Sequence, residues 1–308
     1  MDGLIWISLL SAAVSAGTPL LLAALGELLC ERVGVLNLGV EGMMLVGAVS
    51  GFLTAVATGS VAAGVLAAIL AGGMLAAVHA FISVTLGANQ IISGLALTLF
   101  GTGVSSYLGK HAIGVPLPVA VEVFPIPVLS AIPVLGDILF RKDPLVYLSY
   151  LLVPALWFWI FRTRYGLNLR AVGESPDTAD TLGINVIATR HAYVIAGGML
   201  AGLGGAYLSM VYTPCWIENM TAGRGWIAVA LVIFAVWSPP RAMLGAYLFG
   251  GIDVLGFRIQ TLGIMVPSFF LKMLPYIFTI AVLVVFTAYT SRRHALGPSA
   301  LGKPYERE

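Results

Sequence analysis

Six ionisable residues lie inside or beside strongly apolar stretches of the sequence: Glu27, Glu31, Arg32, Glu41, Asp253 and Arg258. At the centre of a membrane-spanning helix such a group costs about 2.5 to 3.5 kcal/mol, so it usually faces the protein interior or a polar cavity. The stretch from Glu27 to Glu41 is a semi-polar break, in which Gly34 and Gly39 allow unusual backbone conformations. This break either lines the cytoplasmic side of a polar pathway or is an interfacial loop in which one of its glutamates pairs with Arg32.

Polar residues further along the chain also have alternative interpretations. Asp253 and Arg258 are five residues apart and do not share a helix face, so we expect each to pair with another helix near an interface. Asn89, Gln90 and Ser93 open a later apolar stretch. They either bond to hydroxyl groups of a bound solute or hold two helices together.

Trp216, Asn219 and Trp226 flank a loop late in the chain. Tryptophan in such a position is most often an interfacial anchor, and the alternative is a stacking surface for a flat ligand. The candidate pathway residues are therefore Asn37, Glu41, Asn89, Gln90, Ser93, Trp216 and Asn219. No nucleophile triad, carboxylate dyad or metal-ligand spacing accompanies them, so we predict neither an enzyme nor a metal or cofactor site.

The composition sets the environment in which these residues must work. Of 308 residues, 59% are hydrophobic and only 10% are charged, with a mean hydropathy of +0.98. A soluble domain usually carries about 25% charged residues. The sequence therefore predicts an all-α, polytopic bundle of transmembrane helices in a lipid bilayer. The net charge is only +2, and the sequence contains no basic patch, so nucleic acid is not an expected partner.

Seven apolar windows approach the roughly 20 residues that a spanning helix needs. They are Leu4–Leu25, Leu38–Ala57, Val61–Thr85, Ile91–Leu108, Leu145–Phe161, Ala192–Tyr212 and Phe269–Tyr289. Two shorter runs within residues 226–257, Trp226–Trp237 and Ala242–Phe257, are either short tilted spans that include flanking residues or a re-entrant pair. We expect about nine spans, within a range of eight to ten.

The distribution of lysine and arginine predicts the orientation, because these residues concentrate on the cytoplasmic side. If nine spans cross the membrane in alternating directions, ten of the sixteen lysine and arginine residues lie on one side. They are Arg32, Arg162, Arg164, Arg170, Arg190, Arg241, Arg292, Arg293, Lys303 and Arg307. The N-terminus is then outside and the C-terminus cytoplasmic. Residues 1–290 form one transmembrane domain, with an external loop at 109–143, a cytoplasmic loop at 162–190 and a cytoplasmic tail at 291–308.

The loop at 162–190 contains a short helix with signals at both ends. Ser175 can accept an amide hydrogen bond as N-cap, and Pro176 suits the first helical position. Gly183 fits the position after the helix, where φ is positive. The predicted helix spans Pro176 to Leu182, with Ala179 and Leu182 on one face. Isolated helices this short are marginal in water, so either a partner or the membrane surface holds it, or it is an ordinary capped turn in a linker.

Five segments of the chain resemble a known family of membrane proteins. They are ERVGVLNLGVEGMM (31–44), GANQIISG (87–94), RAVGESP with the following A…LGIN (170–185), TAGRGW (221–226) and LGKPY (301–305). These segments resemble permease subunits of bacterial ABC importers for branched-chain amino acids, ribose-type sugars and nucleosides. The last two resemble the nucleoside-type subgroup in particular. The sequence of the loop at 162–190 departs from the longer EAA signature of other importer permeases.

The resemblance implies a division of labour between subunits. Two permease subunits, identical or homologous, would form the pathway in the bacterial plasma (inner) membrane, and an extracytoplasmic binding protein would deliver the substrate. Two cytosolic ABC ATPase subunits would bind the short helix, so the coupling residues would be Arg170, Gly173, Glu174, Ser175, Pro176, Ala179, Leu182 and Gly183. The chain has no G-x-x-x-x-G-K-[ST] phosphate loop, so ATP hydrolysis would belong to a partner.

Two functions remain open at this stage. The first is the permease subunit of an importer for nucleosides, with simple sugars second and branched-chain amino acids third. The alternative is an ion-coupled secondary transporter of a small polar solute. That class needs a membrane-embedded carboxylate as its coupling site, for which Glu41 or Asp253 could serve.

Overall fold

The computed structural model describes residues 2–261, 270, 273–281, 284 and 297–306. Its α-helices run in chain order as α1 (Asp2–Arg32), α2 (Val40–Thr58), α3 (Val61–Ala80), α4 (Gln90–Gly109), α5 (Leu135–Leu139), α6 (Pro144–Arg162), α7 (Arg164–Glu174), α8 (Pro176–Thr181), α9 (Val186–Tyr207), α10 (Arg224–Phe234) and α11 (Pro239–Thr261). The π-helical turns Phe81–Thr85 and Leu208–Tyr212 extend α3 and α9. Residues 273–281 are also helical.

Six of these helices, with their π-helical or 3-10 extensions, are long and apolar enough to cross a membrane within the described residues: α1, α2, α3, α4, α6 and α9. They correspond to the first six apolar windows of the sequence, and the chain is a polytopic helical membrane protein. The seventh window, Phe269–Tyr289, lies largely outside the described residues.

Glycine allows the central helix α9 to pack closely on its neighbours. Gly202 lies against Gly47 of α2 and Gly72 of α3, and a Cβ at any of these positions would meet backbone atoms. Gly197 contacts Gly26 of α1 in the same way. Because lipid provides no hydrophobic drive between helices, such close backbone packing is the main attraction that holds them together.

The segment between α4 and α6 is a compact irregular excursion. Its strands β1 (Phe124–Pro125) and β2 (Arg141–Lys142) pair antiparallel, and they flank the 3-10 turn Leu129–Ala131 and α5. Apart from this ribbon and two isolated bridges, the described chain has no strands, in agreement with the all-α expectation. Lys142 extends from β2 to α1, where its ammonium donates to Ser11 and Ser15.

The two short apolar runs form helices of unequal length. α10 has 11 residues, whereas α11 has 23, because α11 extends into the residues that flank its apolar run on both sides. Charged residues such as Arg241 and Arg258 interrupt the hydropathy of α11 without ending its helix. α11 packs antiparallel to α1 along glycine contacts, Gly250 against Ala13 and Ala246 against Gly17.

Several connections meet at one end of the bundle, which we call the loop end. They are residues 33–35, the α7–α8 segment, residues 237–238 and residues 297–306. Arg32 donates to the carbonyl of Trp237 at 3.2 Å, and the amide of Ala300 donates to the carbonyl of Gly173 at 3.0 Å. The α4–α6 excursion lies at the opposite end, where the amide of Leu117 donates to the carbonyl of Pro214.

Candidate functional site: a buried polar junction and a loop-end platform

The connection between α1 and α2 runs inside the bundle rather than along its surface. Gly34 has a φ of +88°, as expected, and the backbone N–H of Asn37 donates to Glu27 at 3.0 Å. Gly39 is in the right-handed helical region, so its expected unusual backbone conformation is wrong. Its lack of a side chain instead leaves room for Gly94 of α4. The side chain of Asn37 is buried and accepts from the amide of Gly39.

Of the three polar residues at the start of α4, one caps the helix and two bond to neighbouring elements. Asn89 caps α4 by accepting from the amides of Ile91 and Ile92 at 3.0 and 3.1 Å. Gln90 accepts from the amide of Leu36 at 2.8 Å, and Ser93 lies 3.0 Å from the ring of His79. The contacts of Gln90 and Ser93 match the second interpretation, in which they hold helices together, whereas Asn89 is exposed and bonds within its own helix.

Glu41 lies at the centre of a buried polar junction between α2 and α10. Its carboxylate accepts from the hydroxyl of Thr221 at 2.5 Å, the amide of Gly223 at 2.8 Å and the amide of Gly225 at 2.5 Å. The amide donors are at the N-terminus of α10, where unpaired N–H groups and the helix dipole favour an anion. Glycine is required here, because a Cβ at Gly225 would touch Glu41 and Gly223 has a φ of +84°.

The predicted pairing of a glutamate with Arg32 is wrong among the described residues. Glu31 accepts from the indole N–H of Trp237 at 2.6 Å, whereas Arg32 donates to the carbonyl of the same residue. A hydroxyl and two amides donate to Glu41, and an indole donates to one oxygen of Glu31, because the chain after α9 returns into the bundle. The local sequence does not reveal this return.

Next to the junction, Arg224 and Asp253 form an ion pair of 2.8 Å between α10 and α11. Arg224 is one of the six basic residues that the alternation of nine spans leaves on the external side, and the structure places the start of its helix beside Glu41. Asp253 pairs with another helix, as expected, and Arg258 does the same by donating to the carbonyl of Ile5 and the hydroxyl of Ser8 on α1. The side chains of Arg224 and Asp253 keep 19% and 29% exposure.

Trp216 and Asn219 lie in the segment that leads into α10. Trp216 is buried against Gly109 at the end of α4, so its ring is not an open stacking surface in this conformation. Asn219 is exposed and has a φ of +54° in the turn before α10. Trp226 on α10 is 36% exposed.

At the loop end, α7 and α8 form a platform, and the predicted short helix is confirmed within one residue of its expected end. Pro176 occupies its first turn, and Gly183 has a φ of +83° after it. The expected N-cap bond is wrong, because the hydroxyl of Ser175 bonds to that of Thr178 at 2.7 Å and not to an amide.

The faces of this helix differ from the expected pattern. Ala179 is buried at 1% exposure in the main hydrophobic cluster, whereas Leu182 is 75% exposed. They therefore do not share one exposed face, because α8 ends before Leu182 and the chain turns there. Leu182 presents an apolar side chain at the surface, while Ala179 attaches the helix to the bundle.

Residues 297–306 bind the platform from the side. The hydroxyl of Ser299 donates to Glu174 at 2.5 Å, and the amide of Gly302 donates to the carbonyl of Gly34 at 3.3 Å. Gly173 lies directly against the backbone of Arg32, so it too needs to lack a side chain. Arg170 lies over the ring of Phe161, at 5.5 Å from its centroid.

Arg190 is buried beneath this platform at 1% exposure. One guanidinium nitrogen donates to the carbonyl of Lys303 at 3.2 Å. Its Nε and Nη2 find no hydrogen-bond acceptor among the residues that the structure describes. Arg190 was expected only to contribute to the charge asymmetry, because its contact with residue 303 is too distant in sequence to be recognised.

The structure is a bundle of apolar helices with a buried polar junction inside it and a short helix at its loop end. Comparison with known proteins identifies the class. The family described as "Branched-chain amino acid transport system / permease component" matches residues 9–287, and the chain belongs to this family.

Its relatives include permease subunits of ABC transporters. It is 44% identical to the putative glucose ABC transporter permease TsgC13 of Haloferax volcanii over 97% of this chain and 98% of the relative. It is 37% identical to the nucleoside ABC transporter permease NupC of Lactococcus lactis, over 94% and 93%. It is 34% identical to the guanosine ABC transporter permease NupQ of Bacillus subtilis, over 97% and 98%. The chain is thus the permease component of an ABC transporter and a multi-pass membrane protein.

Proposed function

We propose that this permease forms the pathway of an ATP-driven importer that takes up nucleosides, with simple sugars as the second candidate. The observation that carries the substrate class is similarity over nearly the whole chain to relatives named for nucleosides, guanosine and glucose. The buried polar junction supports it, because a pathway for a polar solute needs polar groups inside the bundle.

The proposed topology has nine crossings, with the N-terminus outside and the C-terminus in the cytoplasm. Contacts of the segment after α9 support this count. Trp216 lies near the end of α4, Thr221 reaches Glu41, and Trp237 reaches Glu31 at the loop end. In the proposed topology, an irregular stretch followed by α10 makes one crossing, and α11, which packs beside α1, makes the next. Such a broken crossing is tolerated because protein surrounds its backbone.

The loop end is proposed to face the cytoplasm. It carries Arg32, Arg162, Arg170 and Lys303, in agreement with the concentration of basic residues on the cytoplasmic side of membrane proteins. Residues 1–290 then form one permease domain, with a coupling loop at 162–190, an external loop at 109–143 and a tail at 291–308.

Two cytosolic ATPase subunits are proposed to bind the platform around Leu182. A second permease subunit completes the pathway, and an extracytoplasmic binding protein delivers the substrate. Closure of the ATPases on ATP would move α7 and α8. Because Gly173, Gly34 and the tail form backbone contacts, this movement would reach the start of the α1–α2 connection and then Glu41.

Reconstitution of the purified complex into proteoliposomes tests this function. The permease with its ATPase and binding protein should accumulate tritiated adenosine only when ATP is enclosed with the ATPase subunits. Permease alone under a proton or sodium gradient should accumulate none. Uptake by the permease alone on an ion gradient would instead establish the secondary transporter, with Glu41 or Asp253 as its coupling carboxylate.

A further inference from the structure

A cavity of about 360 Å³ opens beside the buried polar junction. α1, α10, α11 and the helix at 273–281 form its walls. Its lining includes the ion pair Arg224–Asp253, the rings of Phe249 and Tyr276, and the apolar side chains of Leu20 and Ile227. This volume lies within the range of about 300 to 1,000 Å³ that small-molecule sites occupy, and a largely apolar wall with few polar groups is typical of them.

The polar groups of the cavity are held in place but retain bonding capacity. One terminal nitrogen of Arg224 donates to Asp253 at 2.8 Å, and the other lies 3.4 Å from the carbonyls of Met220 and Thr221. A guanidinium carries five N–H donors and a carboxylate accepts about four hydrogen bonds, so the pair can also bond to a ligand. The hydroxyl of Tyr276 donates to the carbonyl of Ala222 at 2.9 Å, which fixes the ring at the cavity wall.

We propose that this cavity is the solute-binding site of the permease and that it accepts an uncharged nucleoside; the inference rests on the proposed function. Arg224 and Asp253 bond to the hydroxyls and the polar edge of the base. The rings of Phe249 and Tyr276 lie against the flat apolar face of the base.

The charge balance of the cavity selects an uncharged ligand. Arg224 and Asp253 neutralise each other, so a ligand with a net charge would bring an unpaired charge into a poorly solvated space. A zwitterionic amino acid would have to separate the pair to bind its two charges. A nucleoside binds without separating it, and unlike a simple sugar it also covers the aromatic wall.

The position of the cavity connects it to the rest of the mechanism. Ala222 lines it, and the neighbouring residues Thr221 and Gly223 donate to Glu41. At the far end of α10, Trp237 contacts Glu31 and Gly297 at the loop end. Helix α10, with 11 residues, therefore lies between the cavity and the loop end, and a shift of α10 would change the shape of the cavity.

Transport kinetics test the roles of the ion pair. In the reconstituted importer, Arg224→Gln and Asp253→Asn should each raise the half-saturating adenosine concentration at the permease at least tenfold. The matched controls are Arg141→Gln and Asp137→Asn, which remove an exposed ion pair of the same 2.8 Å length. Wild-type saturation in both cavity variants would overturn the site. Failure of the wild type itself to transport with ATP would contradict the proposed function instead.

A second measurement does not depend on removing the buried charges. In a Cys30→Ser, Cys215→Ser background, adenosine should slow the reaction of Ile227→Cys with a small thiol reagent at least fivefold. Val229→Cys on the same helix, which does not line the cavity, should react at an unchanged rate. Protection by glucose or leucine but not adenosine would overturn the ligand class, and equal rates at Ile227→Cys with and without all three ligands would overturn the site.

Discussion

Glu41 shows at the scale of one residue why the polar junction must be built from a carboxylate. Three donors converge on it, two of them peptide N–H groups at the start of α10. An amide side chain has one acceptor oxygen and would turn its NH₂ group towards a peptide N–H. A carboxylate accepts all three hydrogen bonds and also matches the positive end of the helix.

The variant Glu41→Gln should therefore lower the free energy of unfolding by about 2 kcal/mol, because it leaves a buried donor without an acceptor. Thermal unfolding in detergent, followed by size-exclusion fluorescence, measures the change. Glu218→Gln removes an exposed carboxylate and serves as control. Equal melting temperatures for the two variants would contradict the role assigned to Glu41.

Lys142, at the end opposite the platform, makes the folding stability of the chain depend on pH. Burial lowers the pKa of Lys142 from 10.5 to about 8, since the ammonium is withdrawn from water, and neighbouring Asp143 opposes the shift only in part. The unfolded chain then binds this proton more tightly than the folded one. Folding stability should therefore rise as the pH increases from about 8 towards 10.5.

The melting temperature of the wild type minus that of Lys142→Met isolates this contribution. We expect the difference to increase between pH 7 and pH 9.5. Lys110→Met, which removes an exposed lysine in the same excursion, should give a flat difference. If the wild-type melting temperature minus that of Lys142→Met instead fell with rising pH, this would contradict the burial of the ammonium group.

At the scale of elements, the platform separates two roles that the sequence assigned to one face. Leu182→Asp should uncouple ATP hydrolysis from transport without loss of melting temperature, because its side chain is 75% exposed. Ala179→Asp should instead destabilise the fold by about 3 kcal/mol, because it buries an unpaired charge. The ratio of ATP hydrolysed to adenosine transported and the melting temperature are measured together. Leu135→Asp, exposed at the opposite end, is the control; coupling that survives Leu182→Asp would contradict the docking surface.

Arg190 couples the stability of the tail to that of the platform, because its guanidinium donates to the carbonyl of Lys303. Its guanidinium loses its one described acceptor, the carbonyl of Lys303, when residues 297–308 are deleted. The deletion should cost more stability in the wild type than in an Arg190→Met background, where no buried charge is left. A double-mutant cycle on the melting temperature measures this coupling. Additive effects would show that the tail binds independently of Arg190.

The sequence predicts elements well where the signal is local. The apolar windows reproduce six spanning helices, and Ser175-Pro176 with Gly183 marks α8 to within one residue. Side chains that bind across the fold were missed. The pairing of Arg224 with Asp253 spans 29 residues, and that of Glu41 with Gly225 spans 184. No hydropathy window indicates that α10 begins inside the bundle, because the preceding stretch is irregular and its depth depends on tertiary contacts.

At the scale of the whole molecule, the remaining prediction is the path of the chain after α9. A nine-crossing bundle and a bundle with a re-entrant pair place the external loop and the tail on the same sides. They differ at the connection between α10 and α11. In the structure this connection lies at the loop end, because Trp237 contacts Glu31 and Arg32.

Cysteine labelling in the Cys30→Ser, Cys215→Ser background decides between the two paths. Nine crossings predict that Glu122→Cys reacts with a membrane-impermeant maleimide in intact cells. Leu182→Cys and Arg241→Cys should react only after the membrane is permeabilised. Arg241 is exposed, so a lack of reaction cannot come from burial within the subunit. Reaction of Arg241→Cys in intact cells, with Leu182→Cys still protected, would show that α10 and α11 return as a hairpin and that the polar junction lies closer to the outer surface.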